Sequence, residues 1–412
     1  PTHPDIDPLP TGNVLVLAWE LKTKAEAGAM GKDTANFAGF KVGPDHIIEV
    51  EQTAQDTGNI VWEWHAWDHL VQDFDSLLPN YDVVAERPER ININFDPFNN
   101  DDWMHCNSID YNADLDQIIL SVPHFDEVWV IDHSTTTAEA ASSSGGNSGK
   151  GGDLLYRWGN PAAYDRGDST DQKLFFQHDA QWVNTGDPND PDHGNILVFN
   201  NRVGGTYSRV DMFAPPVDSA GTYTLGATDP YGPDSLVSSY QDPIPDSLYS
   251  VGLSGAEKLP NGNFLITSGT QGRLFEITST GQNVWEYKVP LDQGVPVAQG
   301  TVISNFIRVF KARKYPASHP FLLTQALSPI GYLELQPDSA FCGQVTLGVQ
   351  DHKDDLILIF PNPAEHFVQV LSNPGEIIRL FDGQGRLLHS QTANSSLSTL
   401  RLEGYERGVY LI

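Results

Sequence analysis

The chain has 412 residues, with 24 Lys+Arg against 54 Asp+Glu and a formal net charge of −30 at pH 7. So acidic a chain lacks the basic surface that displaces counterions from phosphate backbones, which excludes a nucleic-acid partner. Hydrophobic residues at 39% with 36 Gly and 28 Pro describe a folded, turn-rich chain, and its length calls for more than one domain.

No run of about 18 apolar residues occurs, so no segment is expected to span a membrane. The chain opens at Pro1 without a Met or a signal peptide, as a processed or truncated chain would, so this says nothing about export. Two cysteines, Cys106 and Cys342, exclude a disulfide framework and leave a single bridge undecided.

Taken in chain order, Pro10-Thr-Gly-Asn-Val-Leu-Val-Leu-Ala, His46-Ile-Ile-Glu-Val-Glu and Gly58-Asn-Ile-Val-Trp-Glu-Trp read as three short strands divided by Gly/Asn turns. A second copy runs through Asp116-Gln-Ile-Ile-Leu-Ser, Asp126-Glu-Val-Trp-Val-Ile-Asp and Gly152-Asp-Leu-Leu-Tyr-Arg-Trp, and a third begins at Gly194-Asn-Ile-Leu-Val-Phe-Asn. The phrases return at Pro260-Asn-Gly-Asn-Phe-Leu-Ile-Thr-Ser, Gly272-Arg-Leu-Phe-Glu-Ile and Gly281-Gln-Asn-Val-Trp-Glu-Tyr. Repeats of three or four strands at a period of roughly 40–50 residues mark a β-propeller, because small sheets arranged radially cover each other's faces. The expectation is an all-β chain with a six-bladed propeller over residues 1–315, in which Trp62, Trp129, Trp158 and Trp285 pack between blades.

Two intervening stretches invite other readings. Residues 135–152, made of small polar residues, read as an exposed loop. The acidic run Asp187-Pro-Asn-Asp-Pro-Asp-His-Gly-Asn lacks the alternating ligands and closing Glu of a calcium loop, so no metal is expected there.

Residues 316–354 read as a linker. Residues 355–412 read as a small β-sandwich, with short strands at Leu356-Ile-Leu-Ile-Phe-Pro-Asn-Pro-Ala, Val368-Gln-Val, Ile377-Ile-Arg-Leu-Phe-Asp-Gly-Gln-Gly-Arg, Leu400-Arg-Leu and Gly408-Val-Tyr-Leu-Ile. These phrases resemble the C-terminal sorting domain of type IX secretion. That resemblance implies the type IX machinery as a partner and a secreted, extracellular or cell-surface location.

Nine of the 13 histidines precede residue 201. His3, His105 (with Asn107) and His178 each stand about ten to seventeen residues ahead of a strand phrase, and equivalent places in propeller repeats converge on one channel. Imidazoles gathered there could ligate a transition metal, or one could act as nucleophile while others hold an anionic group.

The phrases Thr2-His-Pro-Asp-Ile, Val61-Trp-Glu-Trp, His105-Cys-Asn-Ser-Ile-Asp-Tyr and Gln177-His-Asp-Ala followed by Gly194-Asn-Ile-Leu-Val-Phe-Asn-Asn resemble the bacterial arylsulfotransferase family over roughly residues 1 to 310. The resemblance implies transfer of a sulfuryl group from an aryl sulfate donor to a phenolic acceptor through a sulfated histidine, without a nucleotide donor, a cofactor or a metal. Carried over by position, His178 matches the nucleophile, and His3, His105 and Asn107 match the groups that hold the sulfuryl oxygens. The family's arginine falls at Pro123, which leaves His124 and Arg202 as substrate-binding replacements for its charge. The alternative is a catalytically lapsed propeller that serves as a cell-surface binding or structural module, with exposed blade edges open to self-association.

Overall fold

The computed structural model describes residues 5–244, 247–303, 307–316, 319, 322–325, 331–337, 359–360, 366–371, 374–382, 387–395, 397–402, 405 and 410–411. It divides into two compact units, Pro1–Pro337 and Asp338–Ile412.

The first unit is built from four-stranded antiparallel meanders, each formed by strands consecutive in its own sheet. The first contains Ile6–Pro8, Val14–Trp19, Asp45–Ala54 and Thr57–His65, and the second Ser108–Asn112, Gln117–Val122, Glu127–Asp132 and Tyr156–Trp158. The third contains His178–Trp182, Ile196–Val203, Tyr207–Phe213 and Ser238–Tyr240, and the fourth Gly255–Lys258, Phe264–Ser268, Arg273–Ile277 and Asn283–Lys288. The repeated phrases coincide with the second, third and fourth strands of these blades. One turn recurs in detail: Leu9-Pro-Thr-Gly-Asn and Leu259-Pro-Asn-Gly-Asn each close with a backbone bond of 2.8 Å from the Leu N–H to the Asn carbonyl. Gly12 at φ 91° and Gly262 at φ 81° supply the left-handed residue that this turn demands.

The described residues of this unit make four such blades where six were expected. The first strands begin at Ile6, Ser108, His178 and Gly255, far wider apart than the assumed period. Long excursions lie between these strands. Residues 66–107 hold only short pieces, among them the parallel pair Leu70–Val71 and Ile91–Asn92. The stretch 135–152 is also more than a surface loop. Thr136 caps the short helix Thr137–Ala140 in a reciprocal box with Glu139, and the Gly152 carbonyl accepts a 2.7 Å bond from the buried Trp64 indole.

Packing between blades is aromatic, as expected, for two of the four tryptophans, and a third is buried. Trp158 stacks on Phe213 of the next blade at 3.9 Å, the Trp62 indole donates to Thr135, and Trp129 is fully buried. Trp285 departs from the expectation: it is 44% exposed, because the outer strand Asn283–Lys288 carries an almost wholly exposed face.

The innermost strands are stitched together by side chains that accept backbone N–H groups from the next blade. Asp5 accepts from Ile109 at 3.1 Å, Asp7 from Tyr111 at 2.8 Å, Ser108 from Ala180 at 2.9 Å, Asp110 from Trp182 at 2.8 Å and Asp179 from Ala256 at 3.2 Å. Gathering carboxylates at the centre is costly without counter-charge. The segment 307–316 provides it: Lys311 Nζ lies 2.7 Å from Asp5, and Arg313 grips both oxygens of Asp179 at 2.8 and 3.0 Å.

The second unit is a small sandwich. Ile359–Phe360, Phe367–Leu371 and Leu397–Arg401 form one sheet, and Leu387–Thr392, Ile377–Asp382 and Tyr410–Leu411 form the other. Alternating inward residues Val368, Val370, Ile378, Leu380 and Leu400, with Ala393, make its core.

Candidate functional site

The site is assembled where the innermost strands of the second and third blades begin. His178 is the first residue of its strand and is 3% exposed. Just before it Phe176 adopts φ 56°, and in the preceding blade His105 adopts φ 57° two residues before Asn107. By this local conformation His178 corresponds to Asn107, and His105 corresponds to Phe176. Asn107 donates from Nδ2 to the Gln177 carbonyl at 2.9 Å, which ties the two strand starts together, while its buried Oδ1 is without a hydrogen-bond partner among the described residues.

The protonation of His178 follows from its partners. Nδ1 lies 2.9 Å from Asn201 Oδ1 and 3.2 Å from the Phe176 carbonyl, both acceptors, so Nδ1 carries the proton. Nε2 therefore has the lone pair, and it accepts the backbone N–H of Leu253 at 2.9 Å. Burial pushes the imidazole down to about 3, which keeps it neutral. Asn201 also donates from Nδ2 to the carbonyls of Ser250 and Leu253, both at 2.9 Å. One amide thus fixes the histidine's tautomer and the loop facing its lone pair. In that loop Leu253 and Ser254 both hold positive φ, 60° and 89°, a strained conformation for residues with side chains.

Phe176 is the hub for the other expected residues. The Arg202 guanidinium lies 3.5 Å from the Phe176 ring centre, with Nε donating to the Val251 carbonyl at 2.8 Å. The His105 and His124 rings stack at 4.8 Å and 11°, and lie 5.9 and 5.7 Å from Phe176. His178 stands 5.8 Å from the same ring. The backbone N–H of Phe176 is held by Asp126 Oδ1 at 2.6 Å, and burial pushes that carboxyl up to about 6. His105, Asn107, His124, His178 and Arg202 are therefore gathered in one place, whereas His3 lies outside the described residues.

Sequence reasoning passed over Asn201, Phe176 and Leu253. Asn201 carried a legible signal, being the second of two adjacent Asn inside the buried run Ile196–Val203. The acidic run at 187–195 proves to be a cage for a side chain: Asp190 and Asp192 both bind the Lys258 ammonium, the latter at 2.7 Å.

Residues 358–412 match the family described as the secretion system C-terminal sorting domain, which directs the chain through type IX secretion to the cell surface or extracellular space. Among the described residues no helix is long and apolar enough to cross a membrane. No curated protein matches the chain. Among solved structures, a protein of unknown function from Bacteroides caccae is 15% identical and covers 60% of this chain and 59% of its own, with a TM-score of 0.27. A streptogramin B lyase is 15% identical over 44% of this chain and 40% of its own, at 0.24. A catalytically inactive virginiamycin B lyase from Staphylococcus aureus, with quinupristin, is 12% identical over 69% of each chain, at 0.28. The chain thus spans less than two thirds of the first two of these proteins. Residues 1–293 match the family described as Arylsulfotransferase (ASST), and the chain belongs to the arylsulfotransferase family.

Proposed function

We propose that the propeller transfers a sulfuryl group from an aryl sulfate to a phenolic acceptor, with His178 as the nucleophile. The observation that carries the reading is the neutral, tautomer-fixed imidazole, whose lone pair on Nε2 faces a strained loop. In the first half-reaction the Nε2–S bond forms and the S–O bond to the aryl group breaks, the aryl oxide leaving with the electron pair. The Nδ1–H bond to Asn201 supports the positive ring that results. In the second half the phenolic oxygen attacks sulfur, the N–S pair returns to Nε2, and the phenol proton passes to solvent.

The reading requires Leu253 to give up its bond to Nε2. Once displaced, that N–H and the Asn107 amide are donors for the sulfuryl oxygens, and Arg202, His105 and His124 line the same hub. The Leu253 bond also favours a second reading, a lapsed catalyst kept as a surface module, since the lone pair is already engaged.

One assay separates the two. The purified chain is mixed with 4-nitrophenyl sulfate, with and without phenol, and nitrophenol release is followed beside His178→Ala. Phenol-dependent release that is lost in the variant, with an 80 Da adduct on His178 by mass spectrometry (about the mass of SO3, trapped before acceptor is added), supports transfer. A chain that releases nothing is the surface module.

A further inference from the structure

We propose that residues 308–314 are an inhibitory strap, which holds the loop 250–254 against His178 so that Nε2 is free to react only when the strap lets go. The strap reads Arg308-Val-Phe-Lys-Ala-Arg-Lys and gathers four of the chain's 24 Lys and Arg into seven residues. Lys311, Arg313 and Lys314 pair with carboxylates from three blades. Lys311 binds Asp5, just ahead of the first blade, at 2.7 Å, and Arg313 binds Asp179 of the third at 2.8 Å. Lys314 binds Glu276 of the fourth blade, and its backbone N–H donates to Glu257 at 3.0 Å. A cationic segment is thus drawn across an acidic centre, where each pair is partly shielded from salt.

Backbone contacts carry the strap to the loop. The Ser254 N–H donates to the Phe310 carbonyl at 2.8 Å, and the Val309 N–H donates to the Gly269 carbonyl at 3.2 Å. Gly269 in turn donates its own N–H to Ser254 Oγ at 2.9 Å. The three segments pass so close that a Cβ on Gly269 would stand 2.4 Å from the Val309 carbonyl oxygen and 2.8 Å from both Leu253 Cβ and Ser254 N. Leu253 and Ser254 hold positive φ, a conformation that persists only where the surroundings impose it. Asn201 imposes it through the Leu253 carbonyl, and the strap imposes it through the Ser254 N–H. With the strap released the two residues can relax, and the Leu253 N–H leaves Nε2. The strap therefore sets the fraction of chains whose lone pair is open, and the apparent affinity for the sulfate donor is lowered by that fraction. This effect on turnover rests on the transfer reading, whereas control of the lone pair does not.

Diethyl pyrocarbonate reads the lone pair directly, since an unprotonated imidazole nitrogen attacks its carbonyl carbon and ethyl carbonate leaves. The full chain is treated in short pulses, and adducts on His178 and on the fully buried His69 are quantified by peptide mass spectrometry. Two variants loosen the strap by different means: Lys311→Met removes the pair with Asp5, and Gly269→Ala wedges a methyl group between strap and loop. Labelling of His178 is expected to rise by about 10-fold or more, as a tenfold larger open fraction gives, while His69 stays protected. A selective rise in either variant supports the strap. No rise at His178, or a rise that His69 matches, in both variants overturns it. The same chains are assayed with 4-nitrophenyl sulfate and phenol, and KM for the sulfate should fall as labelling rises. A KM unmoved where labelling rises selectively overturns the strap as a control on transfer. Absence of nitrophenol from every chain overturns the transfer reading and leaves the strap to stand on its labelling.

Discussion

The backbone N–H of Leu253 is bound to Nε2 of His178 at 2.9 Å, and Asn201 is bound to both residues at the same distance. The three form a closed triangle in which one side-chain amide sets which nitrogen of the imidazole can attack. The strained pair Leu253 and Ser254 makes the loop side of that triangle the one whose release is least costly.

Asn201→Ala removes the acceptor that fixes the tautomer and two donors that hold the loop. Turnover of 4-nitrophenyl sulfate is expected to fall on the order of 100-fold, with a smaller effect on KM, because the imidazole loses its orientation while the rest of the hub stays. Steady-state kinetics check this, and an unchanged kcat would remove Asn201 from the mechanism.

The pH dependence of that turnover follows from the burial of His178. With the imidazole pushed down to about 3, no loss of activity from its protonation is expected between pH 5 and 8. Asn201→Asp places a carboxylate beside Nδ1, stabilises the imidazolium and moves the acid limb of kcat/KM toward neutral pH, since the protonated ring has no lone pair to attack with. The same depression affects stability. Because the folded value lies below the ordinary 6.5, the group's contribution is complete above pH 6.5 and is lost as pH falls from there toward 3. Urea unfolding of His178→Gln should show a shallower loss over that window.

Arg313 and Asp179 are the central ion pair of the propeller. Burial raises the Asp179 carboxyl, but Arg313 and Lys311 outweigh it and the net shift is downward. Arg313→Met leaves that carboxylate with Lys311, 3.4 Å away, as its cation, and should cost about 3–5 kcal/mol in denaturant unfolding at pH 7. Adding Asp179→Asn to the same chain should recover part of the loss. Additive destabilisation in the double variant would mean that the two side chains act independently.

Asp110 behaves in the opposite sense. It is half-buried, lies near Asp7 and Asp179, and is pushed up to about 8, with desolvation the largest cause. A raised folded value means that the native state holds the proton more tightly than the unfolded chain, so stability falls as pH rises from about 4 to 8. Asp110→Asn keeps an acceptor for the Trp182 N–H and removes this slope. Its stability relative to the unmutated chain is expected to increase from pH 5 to pH 8 in thermal melts, and a constant difference across that range would contradict the shift.

The amino-acid sequence by itself determined the kind of fold and most of its strands. Alternating apolar residues between Gly/Asn turns are a local signal, and the phrases at Val14–Trp19, Gln117–Val122, Ile196–Val203 and Phe264–Ser268 each became a blade's second strand. The motif histidines were legible too, since their residue types stand out against strands of apolar residues. The innermost strands were hidden, because Ile6–Pro8, Ser108–Asn112 and His178–Trp182 are short and carry polar side chains that turn to the neighbouring blade. Blade number was not legible for a related reason: a repeat period read from phrases says nothing about the chain spent in loops between them. Only the tertiary structure could decide that His178 corresponds to Asn107, that His124 and Arg202 both lie against Phe176, and that Lys311 and Arg313 neutralise carboxylates from blades far away in sequence. Such relationships depend on long-range closure, in which desolvation and backbone strain select partners that no local pattern encodes.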